Sequence, residues 1–148
     1  MTHLDVNTCW ELLGTSQVGR LAVWVNGGPE IFPVNHIVDH GTVVFRTAPG
    51  TKLAGVTMAG SLAFEVDGYD SGAGEAWSVV IKGRAEEITR DHERIEAASL
   101  PLFPWHAGSK TRIVRIVADE VSGRRFPIAD RTFAGGPPPP SRRRTAQE

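Results

Sequence analysis

The chain has 148 residues, a formal net charge of −1 and 41% hydrophobic residues, enough apolar material for one domain with a real core and too little length for two. Its near-neutral balance lacks the basic face of a general nucleic-acid binder. With Cys9 as its single cysteine no disulfide framework forms within the chain, which points to a reducing, cytoplasmic compartment. The start Met1-Thr2-His3-Leu4-Asp5 does not read as a signal peptide, and no apolar run reaches the roughly 18 residues of a membrane span.

In chain order, Thr8-Cys9-Trp10-Glu11 fits a capping box with Thr8 as N-cap. A short helix then presents Trp10, Leu12 and Leu13 and stops at Gly14. Residues 18–25 read as a strand, and Asn26-Gly27-Gly28 as a hairpin turn. Residues 30–39 form the return strand. It contains Pro33, which cannot donate a ladder hydrogen bond and marks an edge, a bulge or a place where a ligand replaces the neighbouring strand. His40-Gly41 turns the chain into a third strand over 42–45. A helix is expected from Lys52 to about Gly60, and an alternating strand over 61–68. A Gly- and acid-rich loop covers 69–75, followed by a long strand over 76–88 with a bend or bulge at Gly83. A second helix follows from Thr89 to Ala98, then a stiff loop, Pro101-Leu102-Phe103-Pro104-Trp105, and a sixth strand over 110–121. Residues 122–126 close the fold. From Gly135 the four prolines and Arg142-Arg143-Arg144 cannot build a core, so 135–148 reads as a disordered tail. The expected architecture is mainly β (α+β): a six-stranded antiparallel split β-barrel with short capping helices, over residues 1–134.

The sharpest chemical signal is Arg46-Thr47-Ala48-Pro49-Gly50-Thr51-Lys52. A strand-to-helix turn with cations beside free backbone N–H groups suits a phosphate dianion, and the competing reading is a solvated basic loop. Lys52 precedes Leu53 where a nucleoside-triphosphate loop needs Ser or Thr, so that site is rejected. Around Pro33-Val34-Asn35, an interrupted ladder leaves polar groups for a flat heterocycle, or is simply an edge bulge. Trp77 could stack on a ring or pack in a barrel, and Ser78 could donate to a phosphate oxygen. No metal site is read: His36 and His40 lie roughly 13 Å apart along a strand, and the other histidines fall in different segments. Cys9 has no base beside it in sequence, and no serine sits in a nucleophile-elbow setting.

Taken in order, Gly19-Arg20-Leu21-Ala22, Pro33-Val34-Asn35, Gly41 to Thr47 with Gly50-Thr51-Lys52-Leu53, Ala63-Phe64-Glu65-Val66-Asp67, Trp77-Ser78-Val79 with Gly83-Arg84, Pro104-Trp105 and Gly123-Arg124-Arg125-Phe126 resemble the pyridoxamine 5′-phosphate oxidase-like family of flavin-binding split barrels, in particular its nitroimidazole-reductase-like branch. The resemblance implies an FMN at the interface of a homodimer. It implies that Arg46, Thr47, Thr51 and Lys52, with Leu53 beside them, grip the phosphate, that Pro33, Val34 and Asn35 run along the isoalloxazine, and that Trp77 and Ser78 approach the cofactor. Trp105 and Arg124 are weaker carry-overs that can come from the second chain. The vitamin-phosphate oxidases carry further basic residues and a C-terminal Trp/Arg segment, where this chain has Pro137 to Pro140. The implied activity is therefore an FMN-dependent oxidoreductase acting on another small molecule. Alternatives are a deazaflavin-dependent reductase and a non-catalytic flavin- or haem-binding protein. No catalytic acid or base is assigned, His36 being the one titratable group expected near the ring.

Overall fold

The computed structural model describes residues 1–48, 53, 55–56, 60–89 and 112–128. Its elements are β1 (Thr2–His3), α1 (Val6–Thr15), β2 (Val18–Val25), β3 (Gly28–Asp39), β4 (Thr42–Thr47), β5 (Ser61–Asp70), β6 (Glu75–Glu87) and β7 (Arg112–Pro127). The strand order is β1-β7-β4-β3-β2-β5-β6, and β6 also pairs with β7. Six strands thus close an antiparallel ring, and the seventh, two-residue β1 is added to the edge of β7 opposite Arg124 and Arg125. Beyond Thr89 the expected helix over 89–98, the aromatic loop 101–105 and the tail 135–148 lie outside the described residues.

Alternation builds the barrel. On β2, Leu21 and Val23 are buried while Arg20, Ala22 and Trp24 face outward, the period of two that side chains on a pleated strand impose. Phe45, Phe64, Val66, Val79, Ile81 and Ile116 fill the interior, and Cys9 and Leu13 of α1 enter the same core. The helix is therefore a plug on the barrel, as its apolar side suggests. Its N-cap corrects the sequence reading. Asp5 is the cap, its Oδ1 accepting from the Thr8 backbone N–H at 2.7 Å. Asp5 and Thr8 are both good caps by residue type, but the capping bond to Thr8 starts the helix at Val6. Gly14 lies inside the helix, which runs on to Thr15.

Both tight hairpins turn where positive φ is tolerated: Asn26 and Gly27 at 52° and 78°, His40 and Gly41 at 48° and 68°, as hairpin geometry requires. The second hairpin is clamped from β7. Arg115 Nη1 donates to Thr42 Oγ1 at 2.6 Å, and Nη2 meets Asp39 Oδ2 at 3.2 Å.

The irregularity expected at Gly83 is present. The β6–β7 register shifts between Lys82 and Gly83, leaving Asp119 of β7 without an opposite residue. A Cβ on Gly83 would lie 1.9 Å from the Val117 carbonyl oxygen, so the close backbone approach excludes any side chain. β7 also runs to Pro127, past the end at Val121 that the sequence suggests.

Candidate functional site

The barrel splits between β3 and β4. Their pairing runs from Asp39↔Thr42 to His36↔Phe45 and stops. Past that point β3 continues against β2, with Asn35 opposite Val18 and Pro33 opposite Arg20. β4 continues against β7, with Arg46 opposite Ile113. The first residue on each side of the split is thus Asn35 on β3 and Arg46 on β4. Pro33 sits two residues from Asn35 on the same outward face, and both are exposed. The Pro33 interruption therefore reads as an edge: the β2 side of the strand keeps its register without a bulge, and among the described residues β4 does not extend along it.

Arg46 is half-buried. Its Nε is fully buried and has no hydrogen-bond partner among the described residues. A buried guanidinium N–H without an acceptor is costly, and a donor-only fork is suited to a bidentate anion. Thr47 is buried, and its hydroxyl makes a long 3.4 Å contact to the Ala48 carbonyl. Thr51 and Lys52 lie outside the described residues. Leu53 packs against the main core, and Val34 alternates inward and is buried there.

His36 faces the interior, away from the outer face that Asn35 presents. It is 4% exposed. Its Nε2 lies 2.9 Å from the Leu13 carbonyl, which can only accept, so Nε2 carries the proton. The ring meets Phe64 edge-on at 4.9 Å. Burial pushes its pKa below the ordinary value, opposed by the carbonyls of Leu13 and Gln17. The residue latches α1 to β3 rather than facing a ring on the outer surface.

Ser78 and Arg124 form a second group. They are opposite each other on β6 and β7, near the end of β7 remote from Arg46, roughly 35 Å of strand path away. Sequence reading names their partners Arg20, Glu65 and Asp67 in the family motifs but gives them no site role. Ser78 Oγ donates to Glu65 Oε2 at 3.2 Å. Arg20 Nη1 reaches Glu65 Oε1 at 3.5 Å and Asp67 Oδ1 at 3.1 Å; the hydrogen bond to Asp67 and then its charge raise the Arg20 pKa. Arg124 lies over the Phe126 ring, 5.6 Å from its centroid. Two adjoining open clefts of about 300 and 230 Å³ share Glu65, Ser78 and Arg124. Trp77 lines the larger cleft, and its side chain is half-buried against the core beside Gly68, which favours packing as its main role. Trp105 is outside the described residues.

Among the described residues no three His, Cys, Asp or Glu side chains gather as metal ligands, and no helix is long and apolar enough to cross a membrane.

Residues 5–125 match the family model described as pyridoxamine 5′-phosphate oxidase. The chain belongs to the pyridoxamine 5′-phosphate oxidase family. The chain is 40% identical over 103 residues to the uncharacterized protein Rv3129 of Mycobacterium tuberculosis, covering 66% of this chain and 92% of that one. Among solved structures, an FAD-binding protein from Mycobacterium smegmatis superposes with a TM-score of 0.75 at 37% identity, covering 84% of this chain and 99% of the other. A conserved protein of unknown function from Corynebacterium diphtheriae gives 0.73 at 36%, covering 86% and 98%. The split-barrel expectation and the family resemblance are both borne out.

Proposed function

We propose that the chain is a flavin-dependent oxidoreductase of this family, working as a homodimer on a small molecule in a reducing, cytoplasmic compartment. The observation that carries the reading is Arg46. Among the described residues its buried Nε lacks an acceptor at the point where β3 and β4 part, and a flavin's 5′-phosphate would supply one. Thr51 and Lys52, next along the chain, would add a hydroxyl and a cation. The isoalloxazine would lie along the exposed edge of β3 at Pro33 and Asn35, where β4 does not cover the strand.

When bound, the flavin would supply the redox chemistry. The protein residues bind, orient and exclude water. Arg46 neutralises phosphate charge, the Asn35 amide offers a donor and an acceptor at the ring edge, and Pro33 holds the strand extended beneath it. Ser78 and Arg124 lie at the far end of β7 from Arg46, but Ser78 is joined to the Pro33 edge across β2 and β5 through Arg20 and Glu65. The family resemblance implies that a second copy of the chain completes the site.

The 37% identical FAD-binding protein of M. smegmatis favours the dinucleotide as a second candidate beside FMN. The test is the absorption spectrum of freshly purified protein, followed by titration of apoprotein with FMN, FAD and a deazaflavin. Yellow protein or micromolar binding of one of them supports the reading. A colourless protein that binds none of the three would refute it. Turnover with nitro and quinone acceptors then separates an oxidoreductase from a flavin carrier.

A further inference from the structure

The polar row across β2, β5 and β6 has a direction. Arg20 Nη1 contacts both Glu65 and Asp67, and the second oxygen of Glu65 takes the Ser78 hydroxyl at 3.2 Å. A carboxylate paired with a guanidinium accepts hydrogen bonds and donates none. The Ser78 hydrogen is therefore committed to Glu65, and what Ser78 turns to the cleft is lone pairs. Opposite Ser78 on the neighbouring strand stands Arg124, which has donors only. Ser78 itself is 8% exposed, so its orientation is set by protein and not by bulk water. The cleft thus shows an acceptor fixed by Glu65, with the exposed Arg124, stacked over Phe126, on the neighbouring strand.

We infer that Glu65, held by Arg20, is a positioning residue that makes Ser78 an obligate acceptor, so that this wall of the site selects a ring edge carrying an N–H next to a carbonyl. Resting on the flavin reading above, that edge is the imide of the isoalloxazine pyrimidine ring, with Ser78 accepting from N3–H and Arg124 donating to the adjacent carbonyl. A hydroxyl free to rotate would accept or donate equally and would make no such selection. An N3-methylated flavin has the same carbonyls and no N–H, and is the discriminating probe.

The experiment measures Kd for the preferred flavin and its N3-methyl analogue in wild type, Glu65→Leu, Ser78→Ala and the double variant, with circular dichroism confirming the fold of each. Wild type is expected to bind the N3-methyl analogue about tenfold or more weaker, the scale of one good hydrogen bond. Either single variant should weaken binding of the parent flavin, bring the two ligands to within about threefold of each other, and leave the double variant no worse than the weaker single one, as coupled groups behave. Equal binding of the two ligands by wild type, or losses that simply add in the double variant, would overturn the inference while leaving flavin binding intact. Should wild type bind no flavin at all, the inference falls together with the functional reading.

Discussion

Asn35 and Arg46 are the first residues beyond the last β3–β4 pair, His36↔Phe45. On a continuous sheet they would face each other. Here each strand has already turned to a different neighbour, β2 for Asn35 and β7 for Arg46. The divergence leaves an amide on one lip and a partly buried guanidinium on the other, which is what distinguishes this place from the rest of the barrel wall.

The buried Arg46 Nε, unpartnered among the described residues, links stability to binding. A donor held without an acceptor costs about 1–3 kcal/mol, so Arg46→Met should leave the apoprotein at least as stable as wild type in urea unfolding. The same change should weaken flavin binding by roughly 10–100-fold, the value of a charge-assisted hydrogen bond to phosphate. Greater stability with lost affinity is the signature of a residue retained for a ligand. A destabilised apoprotein would instead show that Arg46 serves the fold.

His36 predicts an acid limit. Its folded pKa is depressed by burial, so the unfolded chain takes up a proton first. The stability held by the neutral ring is complete above its unfolded value of about 6.5 and is lost as the pH falls from there through the lower folded value. Urea midpoints measured between pH 8 and pH 5 should fall with acid in wild type. His36→Gln, whose amide can still reach the Leu13 carbonyl, should be less stable at pH 8 and show a smaller drop across this range. Identical pH profiles for the two proteins would remove His36 as the cause.

The helix cap is open to a direct comparison. Asp5→Ala removes the acceptor of the Thr8 N–H and should cost about 1 kcal/mol, the usual value of an N-cap. Thr8→Ala leaves that backbone bond in place and should cost markedly less. Because α1 plugs the barrel through Cys9 and Leu13, the loss should appear in global unfolding and not only in helical fraying. Equal effects of the two substitutions would restore the Thr8 capping box.

Most of the ring was legible from residues alone because its signals are local. The Asn26-Gly27 turn and the alternation of Leu21 and Val23 with Arg20 and Ala22 mark the first hairpin without reference to anything distant. β7 reads short in the sequence because Ser122-Gly123 looks like a turn, whereas Gly123 stands within the strand where a Cβ would lie 2.6 Å from Cys9 Sγ. β1 is too short to carry any period. At the site, Pro33, Asn35 and Arg46 were visible from residue type, whereas Glu65 and Asp67 look like an ordinary solvated strand face. Their meaning depends on register, which sets Asp67 against Ser78 and Ser78 against Arg124, and register between strands distant in sequence is not written in either strand alone. The inward turn of Val34 and His36 follows from the same alternation once Asn35 is known to face out.

The proposed two-chain site makes a prediction that no single-chain arrangement shares. If Arg46 comes from one copy and Arg124 from the other, then Arg46→Ala and Arg124→Ala homodimers each carry two damaged sites. A mixed dimer carries one site with both changes and one with neither. Refolding the two variants together at equal amounts gives half mixed dimers under random pairing, so about a quarter of all sites should regain wild-type flavin affinity. A single-chain site would regain nothing, because every chain in the mixture would still carry its own lesion. The readout is the amplitude of the high-affinity phase in a flavin titration of the co-refolded mixture, set against the two variants refolded separately and then combined. No high-affinity phase in the co-refolded sample, with dimers confirmed by light scattering, would place Arg46 and Arg124 in separate sites or in the same chain's site and would end the two-chain assignment.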